Sequence, residues 1–398
     1  MALRPIVQNS SSLQDRVKFT ELNNLSNGAK ILFASDDFFA NAENLLKEHN
    51  AEWKEGVFDP QGKWMDGWET RRKRIPGHDF CIIKLSHPSV IHGFHADTSF
   101  FTGNFTPRIS IQAGKLTLKE ESSIVKRTGE SNKAATETEL KQVATLGTDK
   151  WTVLVPRSDL GAGYMDTCDT FFPVDNRETW THLRLNYFPD GGVARLRIYG
   201  QVKRTYEDII ANGICTKDGN STLVDLASSE HGGISIGFSN AHYGHPRNML
   251  LTRPIPNIGD GWETARRMDR PDVITAETGA GFMESPGQEW AAFRLGVVGK
   301  VVKVQVDTTC FKGNFPDSCR VEGCYLSNTE DEQQLVSPED APGLGIWKIL
   351  VPLSKMGPEK THIFLVDDKI GNKISHVRIT IAPDGGVARL RVWGIPSP

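Results

Sequence analysis

The chain is written twice. Asp66-Gly67-Trp68-Glu69-Thr70 returns as Asp260-Gly261-Trp262-Glu263-Thr264, and the stretches around each copy recur in the same order. A duplication of this span constrains the architecture before any local motif does, because each copy must close a hydrophobic core of its own. The length of 398 residues agrees with two units, since domains of roughly 100–200 residues are usual.

Two more motifs follow the pentapeptide in both copies. Asp97-Thr98-Ser99-Phe100-Phe101-Thr102-Gly103-Asn104-Phe105 is matched by Asp307-Thr308-Thr309-Cys310-Phe311-Lys312-Gly313-Asn314-Phe315. The run Pro189-Asp190-Gly191-Gly192-Val193-Ala194-Arg195-Leu196-Arg197 is repeated without change at 383–391. Asp-Gly between alternating apolar residues predicts a tight hairpin, because glycine supplies the positive φ that such turns require.

Strand-like runs fill the intervals. Residues 79–85 and 90–97 read as two strands, matched by 289–295 and 300–307, the last with period-two alternation. Trp151–Pro156 and Trp347–Pro352 read as strands that a proline ends. Ile31–Ser35 and Ile236–Asn240 open the repeats, the first followed by a short helix through Asn44-Leu45-Leu46. Helical periodicity is otherwise scarce, so the expected fold class is all-β, an antiparallel sandwich of jelly-roll type in each copy. The expected division is an N-terminal arm at 1–25, a first repeat at 26–200, an exposed polar connector at 201–223 and a second repeat at 224–398.

Charge and composition exclude several function classes. Forty-six basic against 49 acidic residues leave a net charge of −3, which gives no basic field to draw in nucleic acid or anionic lipid. No apolar run is long enough to span a bilayer, and the first residues lack a signal-peptide pattern. The chain is therefore expected to be soluble and cytoplasmic, with peroxisomal placement left open although the terminal Ser397-Pro398 is no S-K-L address. Six cysteines, at 81, 168, 215, 310, 319 and 324, form no C-x-x-C pair and read as reduced thiols. His92-x-x-His95 and His242-x-x-His245 fall at non-equivalent places in the duplication, so the sequence defines no metal site.

With its three paired motifs in order across both halves, the chain resembles the allantoicase family. That resemblance implies two tandem jelly-roll repeats similar to galactose-binding-like modules, and hydrolysis of allantoate to ureidoglycolate and urea in purine breakdown. Its partner is then a small ureide, and a homo-oligomer is expected. Some galactose-binding-like modules hold calcium on loop oxygens, so the cofactor requirement stays open. A ligand-binding protein on the same scaffold, or a related hydrolase acting on ureidoglycolate, are the alternatives.

The chemistry picks out the polar residues of the motifs. Allantoate carries a carboxylate and two ureido groups on one sp³ carbon, so releasing urea requires an acid/base group and an anchor for the carboxylate. Glu69 and Glu263 are the acid/base candidates, each beside a tryptophan (Trp68, Trp262) that could desolvate it and raise its pKa. Asp66 and His95 join them as catalytic candidates, His95 because the second copy has Gln305 there. Arg72 and its equivalent Arg266 suit the carboxylate. Asn104 and Asn314 offer the donor and acceptor a ureido group needs. Asp97, Asp260 and Asp307, with Trp68 and Trp262, complete the expected substrate-binding set, although aspartate at the start of a glycine loop also caps turns. His78 and His95 break the symmetry, which makes the first repeat the expected catalytic half.

Overall fold

The computed structural model describes residues 19–127, 133–211, 213–215, 222–269, 281–282, 287–327, 332, 335–336 and 346–397, with the backbone only at Cys215. The expected arm up to residue 18 and the connector's 216–221 lie outside the described residues.

One long strand organises each repeat. Residues 79–85 and 90–97 are not two strands: Phe80–Asp97 runs unbroken for 18 residues and Glu289–Asp307 for 19. The two ends of the strand take different neighbours, which is why its sequence looks like two segments. The first part lies between Thr179–Tyr187 and Lys30–Ala34, pairing Leu183 with Ile83 and Ile31 with Ile83. The last part lies between Arg195–Val202 and Asp169–Pro173, pairing Asp97 with both Arg195 and Asp169. A strand shared in this way closes two layers over one core, formed by Ile83, Leu85, Phe94, Ala96, Leu183, Leu196 and their neighbours. The second repeat copies the scheme, with Ile374–Ala382 and Ile234–Phe238 on the first part and Arg389–Pro396 and Thr361–Leu365 on the last. The chain is thus two β-sandwich repeats of jelly-roll type.

Pro156 and Pro352 do not end their strands. Thr152–Asp159 and Lys348–Lys355 run past them. Both are outermost in their sheets and shift register there, and an edge strand tolerates a missing N–H on its open side. Two short helices also interrupt the β pattern, Leu118–Ser123 and Glu137–Ala144. Each starts with a reciprocal capping box, Thr117 with Glu120 and Thr136 with Glu139, which satisfies backbone donors that a first helical turn leaves open.

The chain divides into two compact units between Lys203 and Arg204. Asn23–Asn24 pairs with Gly200 and Tyr199 in the first unit. Helix Tyr206–Ala211 belongs to the second, with Ile209 buried in its core. No helix among the described residues is long and apolar enough to cross a membrane.

Candidate active site

The three repeated motifs are one another's partners. The last motif is not the expected tight hairpin: the strands on either side of Asp190-Gly191 pair with the long strand and not with one another. Its Gly192–Val193 pairs instead with Trp68–Glu69, Glu69 opposite Gly192, while Ala40 exchanges both backbone hydrogen bonds with Glu69 at 3.2 and 3.3 Å. Gly192 N–H donates to Asn104 O at 2.8 Å, which ties in the third motif. The glycines make room for this. A Cβ on Gly67 would lie 2.5 Å from Val193 O and 2.6 Å from the Phe101 ring, and one on Gly192 would lie 2.1 Å from that same ring.

Asp66 is not an acid/base group. Its carboxylate accepts from Arg195 at 2.5 Å, Lys47 at 2.8 Å and Glu52 N–H at 3.0 Å. Burial opposes its ionisation, but those hydrogen bonds and the Arg195 charge outweigh it and hold the carboxyl down at about 2. Asp260 accepts hydrogen bonds from Arg253 at 2.6 and 2.7 Å and from Arg389 at 2.6 Å, contacts that tie it into the fold. The tryptophans are also interior. Trp68 and Trp262 are fully buried, donate ring N–H to Asp36 O and Asn240 O at 2.8 Å, and pack in their cores, Trp68 with its centroid 4.2 Å from that of Tyr187. No face remains for substrate.

Glu69 has the opposite character. Its side chain turns away from the core that takes Trp68, and its Oε1 accepts one hydrogen bond, from Asn104 Nδ2 at 2.8 Å. Burial raises its pKa to about 7, against the Asn104 hydrogen bond and with help from the Asp59 charge. Such a carboxyl holds and releases a proton near neutral pH. Glu263 makes the same bond, from Asn314 Nδ2 at 2.5 Å, and is 9% exposed. The structure therefore joins Glu69 with Asn104 and Glu263 with Asn314, two pairs that lie 35 and 51 residues apart in sequence.

The other expected residues divide by environment. Arg72 is exposed, with no hydrogen-bond or ion-pair partner among the described residues, whereas its neighbour Arg71 pairs with Asp36 at 2.8 Å. Arg266 is exposed as well. Asp97 and Asp307 accept from the backbone N–H of Ser99 at 2.7 Å and Thr309 at 2.8 Å, the turn-capping role. His95 is bonded through Nε2 to Asp169 at 2.7 Å and stacks on Phe171 at 4.4 Å. His78 meets Asn186 Oδ1 at 3.1 Å, and burial lowers its pKa. Asp97, Cys168 and Asp169 bring potential ligand atoms within 4.8 Å of one another, but Asp97 Oδ1 and Asp169 Oδ1 are already engaged by Ser99 and His95. A cleft of about 590 Å³ touches Lys30, Glu43, Lys47 and Arg127, and of its cations Lys47 and Arg127 are paired, with Asp66, Asp37 and Glu43.

Sequence reasoning missed the group nearest in effect to Glu69. Asp59 sits on a small hairpin, Phe58–Asp59 with Gly62–Lys63. Twenty positions separate Leu46 from Asp66, but only ten separate the equivalent Leu250 from Asp260, so the hairpin belongs to the first copy alone. Comparing loop lengths between the copies would have found it. Asn44 and Asn248 were visible but unassigned; their amides hold the motif glycine carbonyls, Gly67 O at 2.9 Å and Gly261 O at 3.1 Å.

Known proteins match this arrangement along the whole chain. A family profile described as the allantoicase repeat matches residues 20–203 and 224–397. A probable allantoicase of Burkholderia mallei is 37% identical over 367 residues, 92% of this chain and 91% of its own length. A probable allantoicase of Photobacterium profundum is 36% identical over 388 residues, 97% of this chain and 100% of its own. The crystal structure of allantoicase from Saccharomyces cerevisiae superposes with a TM-score of 0.64 at 29% identity, covering 96% of this chain and 98% of that one.

Proposed function

The chain belongs to the allantoicase family, and we propose that the catalytic centre of this hydrolase lies in the first repeat, with Glu69 as its acid and base. It hydrolyses allantoate to ureidoglycolate and urea, a step of purine breakdown. In net terms one carbon–nitrogen bond at the sp³ carbon is broken and water supplies the replacement, so one ureido group leaves as urea and a hydroxyl takes its place. Protonated Glu69 gives its proton to the departing nitrogen, and the lone pair of the remaining ureido nitrogen forms an imine-like species. The Glu69 carboxylate then takes a proton from the water that adds, which restores the acid. A carboxyl with a pKa near 7 can serve both half-reactions at neutral pH, and this is the observation that carries the reading.

Asn104 fixes the carboxyl through its Nδ2 and keeps its Oδ1 for a ureido N–H. Arg72, three residues on from Glu69 and without a partner among the described residues, takes the substrate carboxylate in its planar fork. In the second copy Glu263 and Asn314 hold the equivalent loop together. The test is urea release from allantoate by the purified chain and by Glu69→Gln. An inactive wild-type chain, or a folded Glu69→Gln variant with full turnover, sinks the assignment.

The near-neutral charge favours a small ureide over nucleic acid or a lipid surface, and we place the protein in the cytoplasm. The edge strand Thr361–Leu365 exposes Ile363 and Leu365, 60% and 82% accessible, which supports association into a homo-oligomer. Light scattering on the purified chain checks that: a monomer across micromolar concentrations contradicts it.

A further inference from the structure

The hairpin peculiar to the first repeat is anchored to the site rather than hung from the surface. Its root is clamped by the arginines of the last repeated motif: Arg195 donates to His49 O at 2.9 Å and Asn50 O at 3.3 Å, and Arg197 to Glu48 O at 2.9 Å. Glu52 N–H donates to Asp66. Trp53 packs on Phe100, ring centroids 5.8 Å apart, in the loop that carries Asn104, and Lys63 lies 4.1 Å over the Trp53 ring. These contacts hold the insertion beside the Glu69–Asn104 pair.

At the hairpin's turn, Asp59 Oδ1 is enclosed and has no hydrogen-bond partner among the described residues. A carboxylate oxygen shut away from water without a donor is costly, and beside Glu69 and Asn104 such an atom is placed to accept from a donor that arrives with a ligand. The substrate supplies one, since each ureido group carries an N–H and a terminal NH₂ and a carboxylate only accepts.

We propose that Asp59 is a substrate-binding residue of the active site, accepting an N–H of a ureido group of allantoate beside Glu69. This rests on the placement of the site at Glu69. It also gives the ten extra positions of the first copy a purpose that folding does not demand, because the second repeat closes the same sandwich without them. The charge of Asp59 further favours the protonated form of Glu69, so the residue both holds the ureide and keeps the acid loaded.

The experiment compares wild type, Asp59→Asn, Asp59→Glu and Glu69→Gln in the full chain, by steady-state urea release from allantoate between pH 5 and 9. Asp59→Asn, isosteric and relieved of the enclosed charge, should not lower the thermal midpoint. It should raise KM by about tenfold or more, the scale of a lost charged hydrogen bond, and move the inflection set by Glu69 to lower pH. Asp59→Glu, which keeps the charge, should leave that inflection near its wild-type position. A wild-type KM in Asp59→Asn, an unmoved inflection there, or an equal displacement in both Asp59 variants overturns the proposal. If Glu69→Gln is inactive while Asp59→Asn behaves as wild type, the role of Asp59 fails alone; an active Glu69→Gln instead removes the site on which it rests.

Discussion

Asp66 Oδ2 and Arg195 Nη2 lie 2.5 Å apart with both side chains 1% exposed, and Asp260 and Arg389 repeat the contact at 2.6 Å. This pair joins the first repeated motif to the last across 129 residues, and it explains why both motifs survive in both copies: each is the partner that the other's buried charge requires.

Breaking that pair from one side takes from a buried charge its closest partner, with Lys47 the only other cation paired with Asp66 among the described residues, a loss of about 3–5 kcal/mol at most. Asp66→Ala and Arg195→Met should each destabilise the first repeat by this order in urea unfolding, and the double variant by less than the sum. Because the folded-state pKa of Asp66 is lowered to about 2, its contribution is present above the ordinary carboxylate value near 3.8 and is lost as pH falls towards 2. The gap in stability between wild type and Asp66→Ala should therefore narrow only in strong acid. Additive losses, or a gap that already closes at pH 5, contradict the pairing.

Much of this was legible from the sequence because the motifs are local and repeated. The two repeats and the choice of Glu69 as a candidate follow from residue order, but the hairpin expected at Asp190-Gly191 does not form, because Thr179–Tyr187 and Arg195–Val202 each pair with the long strand and not with one another. What the sequence hid are relationships between distant residues. Asp66 and Glu69 are three positions apart and chemically alike, yet one faces Arg195 and the other a single amide, and only the fold assigns those neighbours. Trp68 was legible as a neighbour of Glu69, but strand alternation sends its ring to the opposite face, into the core. The strand Phe80–Asp97 looked like two because its halves have different partners, and the capping boxes at Thr117 and Thr136 were legible but unread.

Glu69 sets a pH dependence with a definite sign. In the folded chain its pKa is raised from 4.5 to about 7, so the folded state holds this proton more tightly than the unfolded one. The associated stability is present below about pH 4.5 and is lost as pH rises through 7. Glu69→Gln cannot ionise and keeps an oxygen for Asn104. Relative to wild type it should gain stability between pH 5 and 8, on the order of a few kcal/mol at most. Chemical unfolding at the two pH values measures this; a constant difference contradicts the raised pKa.

Gly67 tests whether the backbone places Glu69. An added Cβ would meet Val193 O at 2.5 Å, and a backbone oxygen held in a strand pair cannot step aside as a side chain can. Gly67→Ala should cost about 1–3 kcal/mol, the usual scale of overpacking, and should reduce turnover in the folded fraction because Glu69 lies two residues on. The thermal midpoint and kcat report the two effects separately. Unchanged values for both show that the strand accommodates the methyl.

Glu263 is the decisive comparison, since it has the same motif, the same asparagine bond and a similar burial. What it lacks is the inserted hairpin with Asp59. If the first repeat holds the catalytic centre, Glu263→Gln should keep turnover of the wild-type order while changing stability by no more than roughly 1 kcal/mol, as the amide replaces the carboxyl in the hydrogen bond from Asn314. Glu69→Gln should instead lower kcat by about 10²–10⁴, the range for a positioned acid–base group. Equal losses in both variants mean that each repeat carries a working site, and a loss in Glu263→Gln alone moves the chemistry to the second repeat. Urea release per folded molecule, with folding checked by unfolding midpoint, separates the three outcomes.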